Sequence, residues 1–396
     1  MRSVVLGLAT ALTLTLAVGP AHGAVSVDQA GGPSQERRAQ EKRAEFPALS
    51  VNRKVTGLDH PWDVRPLGGG RLIFTQRDRA TVSIWDNGST RVVDGFPSGS
   101  VWVSGETGLM GLDLDRDFDS NRRFFTCQGG TTAGGGHEVK VMAWTLNESL
   151  TAITSSKKLL GGLPTSSGRH GGCRLLALPD GSLLVGTGDA AVGTNPRNLT
   201  SLGGKTLRLN AATGAPWRGN PFRKADNRKK RYVFTYGHRN VQGLDRRKDG
   251  TLWSVEQGSY RDDEVNRLRK GGDYGWNPVP GYNESVPMTD QSLPGKQWNA
   301  VWRSGPSTIA TSGGGFVYGK GWRGYHGNFA AAALAGNRVV FLDLTKAGKL
   351  KKARTPAALR KLGRIRTVVD GPGSLIYVTT DNGGGDDAII AVRPRG

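Results

Sequence analysis

The chain has 396 residues and a formal net charge of +21, with 59 glycines, 19 prolines and 10 tryptophans. Long apolar stripes at helical spacing are missing, which argues against a helix bundle and for strands separated by turns. The positive charge is scattered over loops such as Arg228-Lys229-Lys230-Arg231 and Arg246-Arg247-Lys248, without interleaved aromatic platforms or a nucleic-acid motif. No specific nucleic-acid partner is expected, and a loose affinity for acidic cell-envelope polymers is the reading that remains.

Arg2 precedes the apolar run Val4 to Val18, and Ala21 and Gly23 stand where a signal peptidase reads small residues, which predicts a signal peptide over 1–23 and a secreted protein. No other stretch approaches the ~18 apolar residues of a spanning helix, so the mature chain is expected to lack a transmembrane segment. Residues 24–46, with QERRAQEKRAEF, hold almost nothing apolar and read as a charged leader, either disordered or a short helix.

From residue 47 onward one template recurs: alternating apolar residues, a turn rich in Asp and Gly, then a tight β-run. It occurs as DVRPLGGGRLIFTQ (63–76), GLDLDRDFDSNRRFFTC (111–127), RLLALPDGSLLVGTGD (174–189), GLDRRKDGTLWSVEQG (243–258) and TVVDGPGSLIYVTTDNG (367–383), with a weaker copy over 314–344. The Asp-Gly and Gly-Gly pairs supply the positive φ of hairpin turns. Six copies, roughly 50 to 70 residues apart, predict an all-β chain folded as a six-bladed β-propeller over 47–396. A β-sandwich of repeated hairpins is the competitor, but sandwiches seldom repeat one template at this spacing.

A propeller gathers loops from every blade around one end of its channel. In four copies polar groups precede the first strand: Glu106 in SGETGLMG, Arg169-His170 in GRHGGCRL, His238-Arg239-Asn240-Gln242 in GHRNVQGL, and Arg364-Ile365-Arg366 in GRIRTV. Their common register predicts a shared pocket of cations and amides, suited to a carboxylate-bearing ligand. Strand alternation puts Arg364 and Arg366 on one face. Cys127 and Cys173 lie in neighbouring copies and, in an exported chain, predict a disulfide; two buried thiols are the alternative.

The run RYVFTYGHRNVQGLDRRKDGTLWSVEQGSYRDDEVNRLRKGGDYGWNPVPGY (231–282) is similar to the core of the soluble quinoprotein sugar dehydrogenases, the glucose/sorbosone dehydrogenase family that uses pyrroloquinoline quinone. GLDHPWDV (57–64), GETGLMGLDLDRDF (105–118), RHGGCRLLALPDGSLLVGTGD (169–189), LGGKTLRLN (202–210) and GRIRTVVDGPGSLIYVTTD (363–381) extend the resemblance from about residue 54 to the end. It implies an enzyme that oxidises an aldose at its anomeric carbon, passing hydride to the quinone and electrons to an external acceptor.

On that resemblance His170 is the general base and one of the cofactor-binding residues, since a neutral imidazole can take a hydroxyl proton at working pH, and Asp189 is the carboxylate that orients it. Arg239 and Asn240 correspond to residues that hold the quinone near its reactive carbonyl, Arg239 as a cation facing developing charge. Arg364 and Arg366 correspond to the pair on the cofactor's carboxylates, while His238 and Gln242 read as scaffold. Gly258 and Ser259, ahead of Asp262-Asp263-Glu264, match the segment whose main-chain oxygens bind calcium, with Ser259 where the family usually has Pro.

Two positions depart from the pattern. Glu106, in the cofactor-facing set, replaces a Gln of the members closest to glucose dehydrogenase and would set a carboxylate against an anionic cofactor. Ala333-Leu334-Ala335-Gly336-Asn337 offers no Lys where the best-known members have one. Two readings from other classes compete: a calcium-dependent propeller hydrolase acting on a lactone, active without quinone, and a non-catalytic binding module of the cell envelope, released by salt.

Overall fold

Five template copies become the inner halves of four-stranded antiparallel sheets, and the weaker copy over 314–344 supplies three strands of a sixth, in the computed structural model, which describes residues 45–395. The signal peptide read at 1–23 and the leader up to residue 44 lie outside the described residues. The innermost strands of blades 1 to 6 are Pro61–Gly68, Leu109–Leu114, Gly172–Ala177, Val241–Arg246, Thr311–Phe316 and Ile365–Gly371. In blade 3, RLLALPDGSLLVGTGD is the inner hairpin, pairing Leu175 with Val185 and Leu176 with Leu184 around Gly181, whose φ is +86°. The chain is therefore a six-bladed β-propeller.

Leu49–Leu58 starts no blade. It pairs antiparallel with Asp387–Pro394 and forms the outer strand of blade 6, so the two ends of the described chain close the ring. Apolar side chains between neighbouring blades form the core: Trp253 of blade 4 is fully buried, with its ring 5.8 Å from Phe316 and 6.4 Å from Phe329 of blade 5. Burying such a side chain contributes about 1.5–3 kcal/mol.

Blades 2 and 3 are also joined covalently. Cys127, in the strand Arg123–Thr131, forms the predicted disulfide with Cys173 in the innermost strand of blade 3, with Cα atoms 5.4 Å apart. The backbones are so close there that a Cβ on Gly111 would lie 2.1 Å from the Cys173 carbonyl oxygen, which leaves glycine as the residue that fits. Closing a loop across a separation of 46 residues restricts the unfolded chain by about 4 kcal/mol on the chain-entropy model.

Blade 4 places Glu256 directly opposite Glu264. Burial, and then the Glu256 carboxylate, push the Glu264 carboxyl up to about 8. The folded protein thus holds a proton that the unfolded chain has released above the ordinary carboxylate range. This carboxyl's contribution to stability is full in acid and is lost as pH rises through the interval that ends near 8. The thermal midpoint is expected to fall between pH 5 and 9 by less in Glu264→Gln, which keeps an acceptor for Thr289 Oγ1 but carries no charge. Equal declines in both proteins would show that this carboxyl does not titrate in that interval.

Candidate active site

The entrances of the innermost strands gather at one mouth of the channel, as the template register requires. His170 lies two residues before the blade 3 strand, with φ +54°, a conformation that costs a non-glycine residue roughly 1–3 kcal/mol and is kept where the surroundings impose it. One constraint is Gly188, where a Cβ would sit 1.8 Å from the His170 carbonyl oxygen. Behind the ring, Asp189 is fully buried and receives four donors. His170 Nδ1 and Ala191 N lie 2.8 Å from Oδ1, and Trp276 Nε1 and Tyr282 Oη lie 2.8 Å from Oδ2.

A carboxylate with this donor set only accepts, so the imidazole proton is on Nδ1. The other ring nitrogen, Nε2, has no hydrogen-bond partner among the described residues and carries a lone pair. Tyr282 Oη is also 3.0 Å from Nδ1. Burial, and then Asp189, hold the Tyr282 hydroxyl far above the ordinary tyrosine range, so it remains a donor.

Glu106, Arg239 and Asn240 converge on the same loop. Glu106 Oε2 accepts from His170 N and from Asn240 Nδ2, both at 3.2 Å, while Asn240 Oδ1 accepts from Gly172 N at 3.1 Å. The carboxylate that departs from the family pattern thus braces the histidine loop against Asn240. Arg239 is buried: its Nη1 donates to the Gln257 carbonyl at 3.2 Å, its Nη2 to Glu284, and its Nε has no partner. His238 is committed to packing, with Nδ1 2.8 Å from Glu256, Nε2 2.8 Å from Thr235 Oγ1 and its ring stacked on Tyr274.

Arg364 and Arg366 meet on one carboxylate, as their alternation predicts: Asp381 Oδ2 is 2.7 Å from Arg366 Nη2 and 3.7 Å from Arg364 Nη2. Arg366 Nη1 donates to Gln242 Oε1 at 2.8 Å, which connects this pair to Asn240 two residues back along blade 4. Arg366 Nε and Asp381 Oδ1 are buried without partners. Gly258 and Ser259 begin the loop after the second strand of blade 4, next to Arg239. Asp263 holds that loop, accepting from Gly258 N at 3.0 Å, Thr308 Oγ1 at 2.9 Å and Ile309 N at 2.6 Å. The Gly258 and Ser259 carbonyls accept no hydrogen bond among the described residues.

Trp276, Tyr282, Glu284 and Asp381 complete the site although sequence reasoning gave them no role. Trp276 and Tyr282 fall inside the run that carries the family resemblance, and Asp381 follows its strand as Asp189 follows the equivalent strand of blade 3.

The family model for Glucose / Sorbosone dehydrogenase matches residues 58–390. Aldose sugar dehydrogenase YliI of Escherichia coli strain K12 is 28% identical over 354 residues, covering 85% of this chain and 91% of that protein. The PQQ-bound aldose sugar dehydrogenase of Streptomyces coelicolor superimposes with a TM-score of 0.73 at 27% identity, over 88% of this chain and 100% of that one. The apo form of the soluble aldose sugar dehydrogenase of Escherichia coli gives 0.78 at 26% identity with the same coverage.

Proposed function

The chain belongs to the glucose/sorbosone dehydrogenase family, and on that premise we propose that it is a secreted dehydrogenase, dependent on pyrroloquinoline quinone, that oxidises an aldose at its anomeric carbon. The observation that carries this reading is the buried His170–Asp189 pair with Nε2 free. His170 Nε2 takes the proton of the anomeric hydroxyl, and the developing alkoxide strengthens hydride release from the anomeric carbon. Asp189, fixed by Trp276 and Tyr282, stabilises the imidazolium that forms and keeps the ring aimed. Burial of Asp189 keeps water from competing for the Nδ1 hydrogen bond that aims the ring.

When bound, pyrroloquinoline quinone would supply the two-electron acceptor for that hydride, and an external acceptor would regenerate it. Arg239, with a buried and unspent Nε–H, and Asn240 suit the quinone's carbonyl edge, and Arg364 and Arg366 suit its carboxylates, Arg366 again with an unspent Nε–H. The partnerless Gly258 and Ser259 carbonyls offer a calcium ion the hard oxygen ligands it prefers. The quinone-bound relative from Streptomyces coelicolor supports the cofactor assignment. The signal peptide read over 1–23 supports secretion, and the net charge of +21 supports loose, salt-sensitive retention on acidic envelope polymers.

Reconstituting purified apoprotein with quinone and calcium, followed by dye-linked oxidation of an aldose panel, tests the proposal. Sugar is expected to change the quinone absorbance and reduce the dye. Protein that binds quinone yet oxidises no aldose would overturn it.

A further inference from the structure

The Arg239 guanidinium is 3% exposed and only partly used, with Nε lacking any acceptor and Nη2 on the Glu284 carboxylate. The two oxygens of that carboxylate also take Arg169 Nη2, at 2.9 and 2.8 Å. Partial burial opposes ionisation, but the hydrogen bonds from Arg169 and Arg239 hold the Glu284 carboxyl below its ordinary range, so it is an anion at neutral pH. Its side chain makes no other hydrogen bond among the described residues.

The segment around Glu284 is suited to yield. Residues 279–287 form neither strand nor helix and alternate between exposed and half-buried. On either side of Glu284 the segment is tied by Tyr282 to Asp189 and by the Ser285 carbonyl, which accepts from Arg261 Nη2 at 3.0 Å. A buried guanidinium with one donor unspent and one arm on a half-exposed carboxylate is an anion site holding an internal anion.

We propose that Glu284 is a resident counter-anion, holding Arg239 in place until an anionic ligand reaches the mouth and then releasing Arg239 to an oxygen of that ligand, so that competition with Glu284 sets the affinity for anionic ligands. The inference rests on the proposed function for the identity of the natural ligand, but the competition needs only an anion with an oxygen that reaches Arg239, a carbonyl of the quinone or a carboxylate of citrate. The exchange leaves no charge stranded: after losing Arg239, Glu284 keeps Arg169, whose side chain is 43% exposed, and remains paired and hydrated. A carboxylate ligand entering while Glu284 stays in place would meet a like charge at hydrogen-bonding range of the same guanidinium.

Calorimetric titration of the apoprotein with pyrroloquinoline quinone and, separately, with citrate decides the matter, comparing the natural chain with Glu284→Gln. The glutamine keeps the size and one oxygen that can serve Arg169 and Arg239 as Oε1 does, and removes the charge together with the second acceptor; matching thermal midpoints confirm that the fold is intact. Glu284→Gln is expected to bind both ligands at least about tenfold more tightly, the effect of relieving one close like charge. Unchanged or weaker affinity for both overturns the proposal and makes Glu284 a strut for Arg239. Tighter citrate binding with no quinone binding by either protein sustains the counter-anion and defeats the quinone reading. Equal quinone affinity in the two proteins overturns the counter-anion while that reading stands.

Discussion

Replacing His170 with alanine is expected to lower turnover by roughly 10² to 10⁴ while leaving quinone affinity largely intact, the loss that follows removal of a general base. The split follows from what the side chain touches. Its Nδ1 is spent on Asp189 and its Nε2 on nothing among the described residues, so the truncation removes the proton acceptor and little else. Asp189 retains Ala191 N, Trp276 Nε1 and Tyr282 Oη as donors, which keeps its buried charge paired and the fold intact. Single-turnover reduction of bound quinone by sugar measures the effect free of the electron acceptor. A variant that reduces quinone at the natural rate, while Arg239→Ala does not, would move the base elsewhere.

Much of this site follows from the propeller repeat, and one rule in it becomes visible only with the strands paired. The second strand of blades 3, 4 and 6 carries an acid at its end or within two residues beyond it, and each acid meets groups at the entrance of its own blade. Asp189 meets His170, Glu256 meets His238 and the backbone of Arg239, and Asp381 meets Arg364 and Arg366. The basic entrances stand out in the sequence because glycines and strand patterning frame them. Glu256 and Asp381 look there like ordinary strand-end acids, since the hairpin register that turns them back to the entrance is a tertiary fact.

Two other features were hidden for different reasons. The strand Leu49–Leu58 lacks a turn signal that would assign it to a blade, and its partner, Asp387–Pro394, lies at the other end of the chain. Tyr282 and Glu284 belong to an irregular segment with no period to read, so nothing local indicates that one reaches Asp189 and the other Arg239. The blades were legible because hairpin turns need Asp and Gly locally, whereas closure of the ring and the cover over the site depend on distant contacts.

Lys205→Met is expected to destabilise the protein by several kcal/mol and to lower turnover further than the loss of folded protein explains. Lys205 is fully buried, and its ammonium donates to the carbonyls of Asn195, Pro196 and Gly203 at 2.6, 2.9 and 2.7 Å, three acceptors for three donors. Methionine fills the space but leaves the Asn195 and Gly203 carbonyls unpaired, at about 1–3 kcal/mol each, while the Pro196 carbonyl keeps Gly237 N as a donor at 2.9 Å; the loss is a large share of the roughly 5–15 kcal/mol that holds a typical protein folded. The same turn reaches the site: Asn195 Nδ2 donates to the Asp189 carbonyl at 2.9 Å, and Gly204 N to the Gly188 carbonyl at 2.9 Å. Loosening it shifts the carboxylate that aims His170. Arginine is not expected to rescue the site, because a planar fork cannot address three carbonyls gathered around one point. Thermal midpoints of the natural chain and both variants, with turnover measured well below the lowest midpoint, test this. A Lys205→Met protein that melts with the natural chain would mean that the turn is held by its Asn195 and Ser201 side chains, and that the buried ammonium fills space without organising it.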